Sequence, residues 1–279
     1  MKCVLLVLIV LTIKFDQGMT DFQPDISDPF NTVLIAGGKV ANVRDFPYMV
    51  VLVGKHINDT KRFFNYCGGS ILTPRHILTA AHCAEELDSR DFKVMIGVTK
   101  LNSIEKLKKY DVHAYFLHPE RGSEKNNKTK PNDIAIVVLQ DPLEMRQEGY
   151  VAKTVSLPNR SYVGKTAIFS GYGGVADGKR SEVLRSIKLP VISNEQCQEI
   201  FHRDRTIEID ASMLCAGFVN KNKGTMLFDS GGPLVIREGR DKFTQIGVLS
   251  GGDKLAKYPN IFSDVLYSSK WIKDIISKY

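Results

Sequence analysis

Short apolar runs separated by polar turns recur along most of the chain. Residues 47–53, 63–73, 92–98, 110–117 and 134–139 are rich in β-branched and aromatic side chains and predict strands. A second set covers 151–157, 165–170, 183–191, 233–237, 243–250 and 259–265. Turns bearing Gly and Pro separate them and few stretches carry a helical period, so the pattern predicts an all-β fold. The N-terminus departs from it. Lys2 precedes the unbroken apolar run Cys3–Ile13, which is shorter than the roughly 20 residues that cross a bilayer and reads as a signal peptide over residues 1–18. Residues 19–34 are polar and acidic, include Pro24 and Pro29, and read as a propeptide. No later stretch reaches spanning length, so the expected product is exported and has no membrane span.

With 279 residues, 43% of them hydrophobic, the chain can bury a sizeable core, in one large β domain or two small ones. Its formal charge of +7 becomes +9 in a product that starts at Ile35, because the segment removed holds two lysines and four aspartates. Such a surface favours anionic partners such as glycans or membrane surfaces. No basic stripe with interleaved aromatics appears, so the sequence predicts no nucleic-acid partner. Lys106–Lys109 and Arg121–Lys130 read as solvated loops, and His56, His76, His113, His118 and His202 as surface or structural residues. Once Cys3 is removed, Cys67, Cys83, Cys197 and Cys215 remain, open to three pairings. Export and the lack of a CxxC pair favour disulfides over a metal site. Asn58, Asn127 and Asn159 head glycosylation sequons in predicted loops.

Three segments carry candidate chemistry. Asp229-Ser230-Gly231-Gly232-Pro233 sets a serine between an acid and two glycines, a composition suited to a tight turn with the hydroxyl exposed. A serine hydroxyl is a poor nucleophile near neutral pH, so it needs a general base, an orienter for that base, and backbone donors for the developing oxyanion. Thr79-Ala80-Ala81-His82-Cys83 supplies a histidine, and Asn132-Asp133-Ile134-Ala135 an aspartate at the head of a strand-like run.

In this order these motifs resemble those of the secreted serine proteases of the chymotrypsin/trypsin family. The resemblance runs from Ile35-Ala36-Gly37-Gly38 to the C-terminus and includes Tyr66-Cys67-Gly68-Gly69-Ser70, Gly171-Tyr172-Gly173, Met213-Leu214-Cys215-Ala216-Gly217 and Tyr258-Pro259. It implies a protease domain over residues 35–279, built as two six-stranded antiparallel barrels, about 35–150 and 151–265, with a C-terminal helix near residues 268–276. It pairs Cys67 with Cys83 and Cys197 with Cys215. Two further bridges common in the family are replaced at both ends, by Ala167 and Ile236 and by Met226 and Ala256. The resemblance makes Ser230 the nucleophile, His82 the base and Asp133 its orienter. Ile35 would be freed by cleavage and its amine would pair with Asp229. The partners it implies are a protein or peptide substrate, an activating protease and a serpin-type inhibitor. No cofactor is called for, and the family default is a monomer.

Three departures shape the expected activity. Phe228 stands where the family has a glycine whose N–H, with that of Ser230, forms the oxyanion hole, and a glycine tolerates backbone angles that a side chain resists. In the pocket for the substrate side chain, Gly224 provides no carboxylate at the floor. Thr225, Ser250, Gly252, Asn260 and Phe262 complete the pocket, so the expected preference is for uncharged side chains. Leu34 precedes Ile35, so a trypsin-like activator finds no basic residue there. The expected function is an exported serine endopeptidase with non-tryptic specificity. The alternative is a weak or inactive serine protease homologue that acts by binding partners.

Overall fold

A computed structural model describes residues 38–56, 59–85, 92–122, 130–174, 181–204, 207–221, 223–225, 228–252 and 257–279. Of two units in the chain, Met1–Asn31 lies outside these residues, and everything below belongs to the second, Thr32–Tyr279. The expected signal peptide, propeptide and Ile35 therefore lie outside the described residues, as do Asn58, Asn127, Met226 and Ala256.

A short lead strand β1 (Lys39–Val40) precedes six strands: β2 (Met49–His56), β3 (Asp59–Ile71), β4 (His76–Thr79), β5 (Lys93–Ile96), β6 (Tyr110–Leu117) and β7 (Ala135–Leu139). They pair antiparallel in the order β2-β3-β4-β7-β6-β5, and the β2–β5 ladder closes the barrel. The β7 sequence Ala-Ile-Val-Val-Leu is buried at every position. With a ladder on each side and cover on both faces, its β-branched side chains suit the pleat throughout.

After the two-stranded ribbon β8 (Arg146–Gln147) and β9 (Tyr150–Val151) comes a second set: β10 (Thr166–Gly171), β11 (Arg185–Ile192), β12 (Met213–Ala216), β13 (Pro233–Arg237), β14 (Phe243–Gly251) and β15 (Asn260–Asp264). Their order is β11-β10-β13-β14-β15-β12, and the β11–β12 pairing returns to the start, with β1 added on β11. The two closed six-stranded barrels of the chymotrypsin-type fold are thus present. The larger core cluster crosses their junction, joining Leu52, Ile77 and Ile136 to Val235, Val248 and Ile272. Phe169, Leu189, Leu234 and Phe262 fill the interior of the second barrel. There Ala167 is fully buried and Ile236 packs against the same cluster, so apolar packing occupies the position of the replaced bridge.

Three helices complete the fold: α1 (Ala81–Glu85), α2 (Asn194–Asp204) and α3 (Ser269–Lys278). Cys67–Cys83 ties β3 to α1 and Cys197–Cys215 ties α2 to β12, matching both expected pairings. Closing loops of this size contributes about 3 kcal/mol each. Several strand and helix readings need correction. The pattern passed over β4 and β12, whose four residues are buried throughout and too short a run to show alternation. Residues 151–157 form no continuous strand, because the backbone N–H groups of Lys153, Val155 and Ser156 go to Pro47, Ile71 and Phe243 in turn. Donors spent on different partners cannot build one ladder. The sequence pattern also missed α2, whose polar stretch carries Cys197 and Phe201 as its buried side chains and so shows little apolar periodicity.

Candidate active site

His82 stands on α1, the single helical turn anchored by the Cys67–Cys83 disulfide. Its backbone N–H donates to Asp133 Oδ1 at 2.8 Å, and its ring Nδ1 lies 2.7 Å from Asp133 Oδ2. An ionised carboxylate only accepts, so Nδ1 carries the proton and Nε2 is left as the acceptor. Asp133 is fully buried. Asn132 precedes it with φ 52°, a left-handed angle that asparagine tolerates, and the turn aims the aspartate inward. Asn132 is held by its own donation to the Glu120 carbonyl and by Ser212 Oγ, and Ser263 Oγ donates to the Asp133 carbonyl. The second barrel therefore helps to seat a residue that the first carries.

Ser250 Oγ donates to Asp133 Oδ2 at 2.6 Å. The β14–β15 register shifts between Leu249 and Gly251, and an irregularity of this kind re-aims the side chain it carries. Burial pushes the Asp133 carboxyl up, but bonds from His82 and Ser250 and the His82 charge outweigh it and hold the group below the usual carboxylate range.

Ser230 is half-buried on a tight turn in which Gly232 N–H donates to the Asp229 carbonyl. The Ser230 carbonyl accepts from Gly68 N–H at 2.8 Å, and Gly231 N–H donates to Leu249 at 2.8 Å. Gly231 has φ 77°, and a Cβ there would fall 2.3 Å from Thr79 Oγ1 and 2.5 Å from the Gly68 carbonyl. Only glycine lets this turn seat against β3 and the end of β4, three residues before His82. Asp229 is buried and accepts from Gly173 N–H at 2.7 Å. A Cβ on Gly171 or Gly173 would collide with its carboxylate, which explains glycine at both positions. Its expected partner Ile35 lies outside the described residues.

Phe228 is half-buried with φ 74°, a left-handed angle that is costly for a bulky side chain. Gly224 and Thr225 are buried, Gly252 is exposed, and Asn260 is fully buried. Asn260 Oδ1 accepts from Thr225 N–H at 3.2 Å, while its Nδ2 has no hydrogen-bond partner among the described residues. A Cβ on Gly252 would lie 2.6 Å from that Nδ2, so the amide occupies the space beside Gly252. Phe262 belongs instead to the barrel core, its ring centroid 6.1 Å from that of Phe169. Among the described residues, Cys67, His82 and Cys83 form a cluster of metal-binding dimensions, but the two sulfurs are joined in a disulfide. Asn159 is exposed, as a glycan acceptor requires.

The charged loops need correction at two residues, while Lys106 and Lys108 are exposed as expected and residues 123–129 lie outside the described residues. Lys109 Nζ donates to the carbonyls of Ile104, Glu105 and Leu107, and the Arg121 side chain is only 12% exposed, paired with Glu85 and 3.9 Å from Asp133. Backbone carbonyls and a buried carboxylate draw both cations inward. Ser263 and Arg121 were not found from sequence; a lone Ser and a lone Arg have no motif around them.

Against this geometry, the sequence model of the trypsin family matches residues 35–272. The chain belongs to the trypsin family. It is 29% identical to a protein named trypsin zeta from Drosophila erecta, covering 96% of this chain and 94% of that one. It is 30% identical to the venom peptide isomerase heavy chain of Agelenopsis aperta, over 85% of this chain and 98% of the other. A venom serine protease of Bombus ignitus is 31% identical over 83% of this chain and 65% of its own. As a trypsin-family serine endopeptidase, the protein hydrolyses peptide bonds in protein substrates. No helix among the described residues is long and apolar enough to cross a membrane.

Proposed function

We propose that the protein is an exported serine endopeptidase that works through an acyl-enzyme on Ser230, with His82 as base, Asp133 as orienter, and a preference for uncharged side chains at the cleaved bond. The observation that carries this reading is the Asp133 carboxylate, which grips His82 at both its backbone and its ring Nδ1. That grip leaves Nε2 to take the Ser230 proton as Oγ attacks the peptide carbonyl. The carbonyl π electrons move to oxygen, and the N–H groups of Phe228 and Ser230 stabilise the charge. Collapse breaks the C–N bond, and the imidazolium returns its proton to the leaving amine. Water then repeats the sequence on the ester and frees Ser230. The missing floor carboxylate at Gly224 and the polar fill of Asn260 support the uncharged preference. Residues 1–18 act as the export signal and 19–34 as the propeptide. Cleavage after Leu34 frees Ile35 for Asp229, and Asn58, Asn127 and Asn159 are the glycan acceptors.

The test is fluorophosphonate labelling of the secreted protein before and after limited cleavage by elastase or chymotrypsin, with N-terminal sequencing. Labelling that requires an Ile35 terminus and vanishes in Ser230→Ala is the expected result. The strained φ of Phe228 favours one second reading, a homologue that binds partners without turnover. No labelling despite a verified Ile35 terminus would establish that reading in place of the first.

A further inference from the structure

Arg121 does not behave as a surface cation. It ends the turn His118–Arg121, where its N–H donates to the His118 carbonyl at 3.1 Å, and the next residue, Gly122, donates to Pro131 at 3.1 Å. This fixes the turn beside the segment that leads into Asp133. The guanidinium reaches two acids from there. Nη1 pairs with Glu85, the last residue of the helix that carries His82. Nε points at Asp133 Oδ1 from 3.9 Å, is buried, and makes no hydrogen bond among the described residues. That oxygen already accepts the His82 backbone N–H, and the other accepts from the His82 ring and Ser250.

We propose that Arg121 is a positioning and tuning residue of the catalytic dyad: clamped by Glu85, it holds a second cation against Asp133 and competes with the protonated His82 ring for that carboxylate. The inference rests on the His82–Asp133–Ser230 assignment above. A positive charge that shares the carboxylate competes with the imidazolium for it. Glu85 opposes this by neutralising part of the guanidinium charge. Among the described residues, His118 and Glu120 share the turn with Arg121, and Lys130 lies on the segment that leads into Asp133. Burial pushes His118 down, and its ring packs 5.0 Å from Trp271, which leaves it a poor candidate for the same role.

The readout is NMR titration of the His82 ring in the full chain carrying Ser230→Ala, which needs no turnover. Arg121→Met should raise the midpoint by about one pH unit, because a unit charge a few ångströms away is lost. Glu85→Gln should lower it by a smaller amount, and Arg121→Lys should restore most of the parent value. Opposite movements from the two halves of one ion pair are not produced by a merely structural clamp. Midpoints unmoved in both Arg121→Met and Glu85→Gln would overturn the proposal. Should Arg121→Met fail to fold, an unmoved midpoint in Glu85→Gln overturns it alone. Loss of fluorophosphonate labelling in the wild-type chain would instead count against the triad assignment and leave these titrations to decide the role of Arg121.

Discussion

Around His82 and Asp133 the backbone and side-chain donors converge on one carboxylate, whereas around Ser230 the chain tolerates a phenylalanine at φ 74° and a buried amide donor with no partner among the described residues. The first region is anchored by a disulfide, a left-handed asparagine and hydroxyls from the second barrel. The second is seated by glycine contacts, and on the proposed activation its ordering also draws on Ile35, beyond the described residues. On the proposed assignment, the machinery for moving the proton is preorganised, while the surfaces that would meet the substrate carry this chain's departures from its family. Rate and specificity should therefore respond differently to substitution in the two regions.

The largest effect belongs to the preorganised side. Asp133→Asn keeps the shape but lets the ring adopt the wrong tautomer, and kcat should fall by about 10⁴-fold with little change in KM. Steady-state kinetics on a peptide ester would check it. A loss of less than tenfold would mean that the carboxylate does not orient the base.

On the other side, Phe228→Gly should raise kcat by up to about 10²-fold, by letting the N–H at this position meet the oxyanion without strain. Relief of the left-handed angle should also stabilise the fold by about 1 kcal/mol, measurable by urea unfolding. Greater stability with unchanged kcat would show that the ring does not restrict the oxyanion hole.

Ser250→Ala probes the link between the regions. Losing one hydroxyl donor to the charged carboxylate should lower kcat by about tenfold. It should also weaken acid resistance. Asp133 is held below its ordinary value, so its contribution to stability is present above the unfolded carboxylate value near 4 and is lost as pH falls through the folded value. Without Ser250 the folded value rises and that loss begins at higher pH. Acid unfolding followed by circular dichroism should show the midpoint moving up; a fixed midpoint would remove Ser250 from the network.

Both barrels and both disulfides were legible through the family resemblance carried by the motif order, whereas the β-branched runs and the Gly and Pro turns alone signalled an all-β fold and passed over β4 and β12. His82 and Asp133 were also legible as partners, and the structure joins them by a hydrogen bond. Ser250 was read as a pocket residue, since its bond to Asp133 spans 117 positions and depends on an irregular β14–β15 register. Arg121 was read as solvated because a loop arginine carries no mark of the carboxylate that draws it in. Phe262 was assigned to the pocket, but its ring packs beside Phe169 in the core of the second barrel. Long-range partners and the side a strand presents are tertiary facts, which a local pattern encodes weakly.

The smallest effect concerns the pocket. Asn260 fills the space beside Gly252 with an amide whose oxygen is engaged by Thr225 and whose nitrogen has no partner among the described residues. Asn260→Gly removes an unpaired buried donor together with one hydrogen bond, and these changes oppose each other, so stability should shift by less than about 1 kcal/mol. The vacated volume should admit longer apolar side chains. One or two methylenes in such a pocket change transition-state binding by about 1–3 kcal/mol, and the new space is narrow, so the low end applies. The ratio of kcat/KM for a phenylalanine over an alanine substrate should therefore rise about fivefold. A ratio that does not move would place the pocket's limit in the segments flanking Thr225 and Gly252, and would assign Asn260 to the fold instead of to specificity.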